Sequence, residues 1–242
     1  MQVIQVSDYE EMSTKTAAFF YCSTKGRPNL HLGLATGSTP IGFYEKLVER
    51  LKSNLVDVSH LRTFNLDEYI GLHRDHPQSY HTFMRELFYQ PLGLSEHQTF
   101  IPDGTAEGIE QECERYEKQI QELGGLDIQL LGVGKNGHIG FNEPGTPFDS
   151  RTHSVELKPS TRKANARFFD SMEDVPTHAI TMGIGTILDA EKIVVLASGE
   201  EKAEAIYQLV HGEYSESWPI TALQKHPDVT VYVDEQAGKL LK

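Results

Sequence analysis

Short aliphatic runs alternate with amphipathic stretches along almost the whole chain, and this alternation restricts the fold more than any other feature. The first amphipathic stretch predicts a helix from Ser7, the expected N-cap, to about residue 24. Further helices are predicted at 39–53, 79–89, 106–123 and 200–210. The runs predict strands at 3–6, 30–35, 61–66, 126–133, 178–182, 192–197 and 229–233. Strands that alternate with helices form a largely parallel sheet with helices on both faces. The sequence therefore predicts an open, mostly parallel α/β sheet.

The number of domains follows from the length and from the continuity of this pattern. A chain of 242 residues is long enough for one large α/β domain or two small ones. No repeat, low-complexity tract or linker interrupts the alternation, which favours a single domain over residues 1–242. The stretch 144–176 is the least regular, and we predict that it forms a mobile lid.

The charge balance excludes several classes of partner. The chain has 22 Lys and Arg against 35 Asp and Glu, a net charge of −13, which argues against a nucleic-acid partner and an anionic membrane partner. A small anionic substrate still fits a site with its own positive charge. Cys22 and Cys113 lie outside any metal-ligand or redox spacing, so we interpret them as reduced thiols of a cytoplasmic protein, with a disulfide as the alternative. The sequence shows neither a membrane-spanning run nor a signal-peptide pattern.

The turn after the second predicted strand has the composition of a phosphate site. It reads Leu-Ala-Thr-Gly-Ser-Thr-Pro, with Thr39 as the expected cap and Pro40 at the first helical position. Parallel strands bind ligands at their carboxyl ends. The hydroxyls of Thr36, Ser38 and Thr39 around Gly37, the backbone N–H groups and the helix dipole would together bind a phosphate. A simple, well-capped turn is an alternative of about equal weight.

A carboxylate follows the third predicted strand directly. In Phe-Asn-Leu-Asp-Glu-Tyr, Asp67 stands where a base could take a proton from a carbon acid. The alternative, which the isolated segment favours, is that Asp67 or Glu68 caps the next turn.

The densest group of glycines lies in Leu-Leu-Gly-Val-Gly-Lys-Asn-Gly-His-Ile-Gly-Phe-Asn-Glu-Pro-Gly, residues 130–145. This run contains Asn136, Gly137, His138 and Glu143, and glycines allow a backbone to approach a ligand closely. It includes a formal GxGxxG pattern, but the glycines and proline that follow prevent the helix that a dinucleotide site requires. It is not a P-loop either, and no second His or Cys stands at metal-ligand spacing. A His with a pKa near neutrality suits proton transfer.

Positive charge is concentrated in two places. Lys202 lies in the first turn of the helix after Ser-Gly-Glu-Glu, where it either reaches solvent or balances a bound anion. A basic segment within residues 151–167 contains one acid, Glu156. Its cations could form a solvated loop or a mobile clamp on a phosphate. They are Arg151, Lys158, Arg162, Lys163 and Arg167.

These motifs together resemble the glucosamine-6-phosphate deaminase family in its short bacterial form. The matching segments are Thr-Gly-Ser-Thr-Pro, Phe-Asn-Leu-Asp-Glu-Tyr, Gly-Val-Gly-x-x-Gly-His-Ile-Gly-Phe-Asn-Glu-Pro, Ala-Arg-Phe-Phe-Asp and Ser-Gly-x-x-Lys-Ala, in this order. The resemblance covers residues 1 to about 235. It implies a modified Rossmann-like fold and no metal or organic cofactor. It also implies a hydrolase that converts glucosamine 6-phosphate and water to fructose 6-phosphate and ammonia.

The resemblance assigns roles to particular residues. His138 would open the sugar ring with help from Glu143 and Asn136. Asp67 would move a proton between C2 and C1 of the open-chain sugar. The residues implied to hold the substrate and its phosphate are Thr36, Gly37, Ser38, Thr39, Gly137, Arg167 and Lys202.

Two departures from the family pattern lead to further expectations. Many members have Asp where this chain has Asn136, and Asn supplies no negative charge to an imidazolium, so we expect His138 to be harder to protonate here. The chain ends at Lys242, soon after the last predicted strand, whereas hexameric relatives are longer. We therefore favour a monomer, with a homo-oligomer as the alternative.

Two other functions remain as alternatives. A 6-phosphogluconolactonase-like hydrolase shares the fold and a Gly-His loop but needs no proton shuttle at C2, so Asp67 and the Phe-Asn-Glu-Pro segment favour the deaminase. A non-catalytic sugar-phosphate sensor would not need His138, Glu143 and Asp67 together.

Overall fold

Ten strands form two sheets in the part of the chain that the computed structural model describes, residues 1–27, 29–169 and 171–241. The strands are β1 Gln2–Val6, β2 His31–Leu34, β3 Arg62–Asn65, β4 Asp67–Tyr69, β5 Thr99–Phe100, β6 Ile128–Gly132, β7 His153–Glu156, β8 His178–Thr181, β9 Lys192–Ala197 and β10 Val229–Asp234. The larger sheet has the order β1-β10-β9-β6-β2-β3-β5, and all its pairs are parallel. The smaller sheet is antiparallel, with the order β4-β8-β7.

Helices cover both faces of the larger sheet. They are α1 Tyr9–Gly26, α2 Ile41–Ser53, α3 Tyr80–Met84, α4 Gln90–Leu92, α5 Ile109–Glu122, α6 Pro159–Asn165, α7 Ile184–Leu188 and α8 Ala203–His211. A π-helical segment, Arg85–Tyr89, joins α3 to α4. Successive strand residues point to opposite faces. Leu130 of β6 accordingly packs with α1 and α2, while Leu131 packs with α5, α7 and α8. The predicted mostly parallel α/β sheet with helices on both faces is confirmed.

One predicted strand belongs to the other sheet. The run 178–182 contains β8, which pairs antiparallel with β4 and β7 of the smaller sheet. The chain leaves the larger sheet at Leu66, and β4 then provides a partner for β8. The N–H of Leu66 donates to the carbonyl of Leu34 in the larger sheet, and its own carbonyl accepts from Met182 next to the smaller one. Asp67 therefore begins a second strand, β4, where the sequence predicted that a strand ends.

Two predicted helix starts are wrong by one or two residues. Helix α1 is capped by Asp8 instead of Ser7: the Asp8 side chain accepts from the N–H of Glu11, and the Glu11 carboxylate reaches back to Ser7. The predicted capping pair of Ser7 and Glu10 does not form, and Asp8 and Glu11 cap the helix instead. Helix α2 begins at Ile41 with Pro40 at the N-cap position, so Thr39 does not cap it.

The candidate lid is more regular than its sequence suggested. Residues 144–176 contain β7 and α6, followed by a 3₁₀ turn, Ala166–Phe168. Asp170, the last residue of the Ala-Arg-Phe-Phe-Asp motif, lies outside the described residues. Motion of this segment stays a prediction.

Candidate active site

A cavity of about 340 Å³ opens at the carboxyl ends of β2, β3, β6 and β9. The turns that follow these strands form most of its wall, as expected for an open parallel sheet. Helices α3 and α6 close the remaining side with Tyr80, Thr161 and Asn165. The polar and charged side chains on the wall are those of Thr36, Ser38, Thr39, Asp67, Tyr80, Lys135, Asn136, His138, Thr161, Asn165, Glu201 and Lys202.

The turn after β2 forms one end of the cavity. It holds Thr36, Ser38 and Thr39 around Gly37, whose φ of 95° lies in the left-handed region that glycine tolerates. Pro40 at the N-cap position of α2 makes no side-chain capping bond, and in the first turn the N–H of Gly42 donates to the Tyr9 hydroxyl at 2.9 Å. The turn therefore presents hydroxyls beside the N-terminus of α2, an arrangement that binds phosphate groups in many proteins.

Asp67 is a buried carboxyl on the cavity wall. Its side chain is 6% exposed, and its Oδ1 has no hydrogen-bond partner among the described residues. Burial, followed by the nearby charge of Glu68, raises the pKa of Asp67 to about 8, although a hydrogen bond from Thr36 opposes the rise. A carboxyl with a pKa near neutrality can both take up and return a proton.

Glu68 has the capping role that the sequence allowed for either acid. Its carboxylate accepts the backbone N–H groups of Tyr80 and His81 at the start of α3, at 3.0 and 2.9 Å. The capping alternative is therefore correct for Glu68, whereas Asp67 lines the cavity.

His138 and Glu143 form a pair deep in the glycine-rich loop. Nδ1 of His138 lies 3.7 Å from Oε1 of Glu143. Asn136 donates from Nδ2 to Oε2 of the same carboxylate at 2.7 Å, and Thr161 donates to Oε1 at 2.8 Å. Lys158 adds an ion pair at 3.5 Å. The loop and α6 thus fix the Glu143 carboxylate from both sides.

The protonation of this pair follows from burial and charge. Burial lowers the pKa of His138 below its usual value, and Lys202 and Lys158 lower it further, although Glu143 opposes them. Burial alone would raise the pKa of Glu143, but His138 and the hydrogen bonds from Thr161 and Asn136 keep it low. The site therefore holds a neutral imidazole next to a carboxylate.

Two glycines shape the loop in different ways. A Cβ on Gly134 would lie 2.2 to 2.4 Å from atoms of the His138 ring, so the ring packs directly on the backbone there. Gly137 has a φ of 80° and lies under Trp218, and its carbonyl accepts from Ile220. Gly137 shapes the loop and is not among the residues that line the cavity.

The predicted cations are placed differently from one another. Lys202 lines the cavity, and burial lowers its pKa. Arg167 is exposed on the 3₁₀ turn after α6 and is not among the lining residues. Arg151 pairs with Glu117 and Asp189 instead, at 2.8 and 2.7 Å, so the basic segment does not act as a single clamp.

Sequence reasoning missed several side chains of this site. Tyr80, Thr161 and Asn165 lie on helices, whereas the predicted site residues follow the ends of strands. Only the tertiary fold brings them to the cavity. Lys135 and Glu201 stand next to predicted site residues in the sequence, and proximity was the signal that could have found them.

Within the described ranges, no group of three or more His, Cys, Asp or Glu side chains is placed to hold a metal ion. No helix in the described part of the chain combines the length and apolar character needed to cross a membrane.

Comparison with known proteins decides the family. Residues 9–232 match the family model described as glucosamine-6-phosphate isomerases/6-phosphogluconolactonase. The chain belongs to this family. Within it, the chain is 51% identical over 241 residues to a glucosamine-6-phosphate deaminase of Thermoanaerobacter pseudethanolicus, covering 100% of this chain and 95% of that protein. It is also 51% identical over 238 residues to the enzyme of the same name from Bacillus velezensis, with 98% and 99% covered.

Solved structures of the glucosamine-6-phosphate isomerase/6-phosphogluconolactonase family have the same fold as this chain. A structure described as a monomeric glucosamine-6-phosphate deaminase superimposes with a TM-score of 0.97 at 48% identity, covering 99% of this chain and 100% of that one. A 6-phosphogluconolactonase from Trypanosoma cruzi gives a TM-score of 0.80 at 21% identity over 100% and 97% of the two chains, which shows a shared fold. The resemblance read from the sequence motifs is confirmed.

Proposed function

We propose that this protein is an enzyme that converts glucosamine 6-phosphate and water to fructose 6-phosphate and ammonia. One observation carries the proposal: a single cavity contains the buried carboxyl of Asp67, the imidazole of His138 and the hydroxyl-rich turn at 36–39. Deaminases about half identical over the full length support the same reaction.

The first step is the opening of the sugar ring. The neutral imidazole of His138 accepts the proton of the C1 hydroxyl and delivers it to the ring oxygen as the C1–O5 bond breaks. The Glu143 carboxylate stabilises the imidazolium that forms in between, and Asn136 holds that carboxylate. The product is an open-chain aldehyde, whose C2 proton is acidic.

Asp67 moves the proton in the second step. Its carboxylate takes the proton from C2 while the substrate's ammonium group gives one to O1, which leaves a neutral enol-amine. Its carboxylic acid then returns the proton to C1, which forms a protonated imine at C2. The resulting C2 imine adds water and loses ammonia, which leaves the ketone of fructose 6-phosphate. The C–N bond is therefore cleaved hydrolytically after an aldose–ketose isomerisation. The raised pKa of Asp67, about 8, suits both directions of transfer.

The phosphate anchors the far end of the substrate. Thr36, Ser38 and Thr39 would hold its oxygens at the N-terminus of α2, and Lys202, which lines the same cavity, would supply positive charge. Arg167 would join this site if the segment after α6 closes over the sugar. Binding energy at the phosphate orients the reacting carbons.

Two alternatives are less well supported. A lactonase would not need the buried base Asp67, and the lactonase structures share only about a fifth of their residues with this chain. A sensor would not need the Glu143 carboxylate, held by Asn136, next to the imidazole of His138.

A stoichiometric assay tests the proposed reaction. The protein is incubated with glucosamine 6-phosphate, and ammonia and fructose 6-phosphate are measured together. We expect the two products in equal amounts and no acceleration of 6-phosphogluconolactone hydrolysis. Asp67→Asn should bind the substrate without turnover, and full activity in that variant would remove Asp67 from the mechanism.

We also propose that the enzyme is a cytoplasmic monomer with one catalytic domain. The monomeric deaminase with a TM-score of 0.97 supports the monomer. No site residue argued above requires a second copy.

A further inference from the structure

Glu68 stands directly behind the proposed base. It follows Asp67 in β4, and neighbouring residues of a strand point to opposite faces, so Asp67 lines the cavity while Glu68 points towards α3. Glu68 is 3% exposed. Its Oε1 accepts from the N–H groups of Tyr69 and Tyr80 at 2.8 and 3.0 Å, and its Oε2 accepts from His81 at 2.9 Å.

These bonds tie two walls of the cavity together. Strand β4 carries Asp67, and α3 carries Tyr80, which also lines the cavity. Helix α3 already has a cap, since Ser79 accepts from the N–H of Thr82 at 3.0 Å. A second, buried acid is therefore more than helix capping requires, and a neutral side chain would cost less to bury.

The Glu68 carboxyl is next to Asp67 in the chain, and because burial raises its own pKa to about 7, it carries a negative charge above that pH. The other titratable or charged groups around these two acids are Tyr44, Tyr69, Tyr80, Tyr116, His81 and Asp103. Tyrosines remain neutral near pH 7. Asp103 has the same sign as Glu68. The cation Arg74 contacts the His81 ring and Glu96, at 2.6 and 3.0 Å. A negative charge beside Asp67 makes the neutral acid more favourable.

We propose that Glu68 is a positioning residue for the proposed reaction: it fixes Asp67 relative to Tyr80, and its negative charge makes Asp67 a stronger base. The inference rests on the proposed function for its role in catalysis. The effect of the Glu68 carboxylate on the protonation of Asp67 does not depend on which reaction the protein catalyses.

The test compares Glu68→Gln with wild type in kcat across pH and in a ¹³C NMR titration of the Asp67 carboxyl. Gln keeps the size and one acceptor oxygen but removes the charge. We expect the Asp67 titration and the acid limb of kcat to move to lower pH by about one unit. We also expect kcat above that limb to fall about three- to tenfold, because a weaker base transfers protons more slowly, with KM nearly unchanged.

Two controls separate charge from structure. Glu117→Gln removes another buried carboxylate, whose partners Arg151, Thr152 and Thr186 do not line the cavity, and it should leave the acid limb in place. Glu68→Asp keeps the charge and should lower kcat without moving the limb, and it replaces Glu68→Gln if that variant does not fold.

The proposal is overturned if Glu68→Gln leaves the Asp67 titration where it is, or if Glu68→Asp moves it as far. The NMR titration needs no turnover. If the protein releases no ammonia, the proposed function is wrong, and the NMR titration still tests the effect of Glu68 on Asp67.

Discussion

At the residue scale, the raised pKa of Asp67 has a consequence for stability. In the folded protein its pKa is about 8, against 3.8 in the unfolded chain, so the folded state holds the proton more tightly. The unfolded state loses its proton first as the pH rises, and the contribution of Asp67 to stability falls between those two values. We expect Asp67→Asn to be inactive but more stable than wild type, by about 2–4 kcal/mol near pH 8.

Chemical denaturation across pH measures this difference. The gain should shrink as the pH is lowered and vanish below pH 3.8, as Asp67 becomes protonated in both states. A variant that is less stable than wild type at pH 8 would show that the Asp67 carboxylate is well compensated in the folded protein.

The environment of His138 gives a second prediction at this scale. Asn136 donates to Glu143 and adds no charge, while burial lowers the pKa of His138. Asn136→Asp places a second negative charge near the ring, and this favours the imidazolium. We expect the pKa of His138 to rise by about one unit in an NMR titration of the ring.

Asn136→Ser serves as the neutral control in that titration. If Asn136→Asp leaves the His138 titration unchanged, the departure from the family pattern at position 136 has no electrostatic effect on the ring.

At the element scale, the glycine-rich loop depends on close packing between backbone and ring. Gly134→Ala would place a methyl group within 2.4 Å of the His138 ring, so the ring must leave its position beside Glu143. We expect kcat to fall by at least about tenfold while the fold and cooperative unfolding are retained, since misplacing a reacting group is costly.

Gly26→Ala is the matched control for this loop variant. Gly26 ends α1, and an added Cβ there meets no atom within 4 Å, so activity should be unchanged. Equal activity of Gly134→Ala and wild type would mean that the ring position seen here is not the catalytic one.

The elements also show how far a sequence can predict such a site. The strand ends, and with them Asp67, His138 and Lys202, could be found because a parallel sheet collects its chemistry at one edge. The strand β4 has three residues and no periodicity of its own, so its pairing with β8 was not predictable. The contact of Thr161 with Glu143 was not predictable either, because it depends on how α6 folds back onto the glycine-rich loop.

At the scale of the whole molecule, we predict that the protein is an active monomer. The large exposed apolar residues are scattered along the described chain rather than grouped in one segment, and single exposed apolar side chains are common on monomers. They are Met1, Leu55, Met172, Tyr207, Tyr214 and Leu240. Light scattering after gel filtration should give one species of 27.2 kDa whose specific activity does not change with dilution. A stable larger species, or activity lost on dilution, would contradict this.

The central claim is that one bound hexose 6-phosphate touches Asp67, His138 and the turn at 36–39 at the same time. The most direct measurement is a crystal structure of Asp67→Asn with glucosamine 6-phosphate bound. We expect the phosphate at the turn beside Lys202, the sugar oxygens at C1 and O5 near His138, and C2 within about 3.5 Å of the side chain at position 67. A sugar bound in this cavity with C2 out of reach of position 67, or with its phosphate away from the turn, would contradict the mechanism.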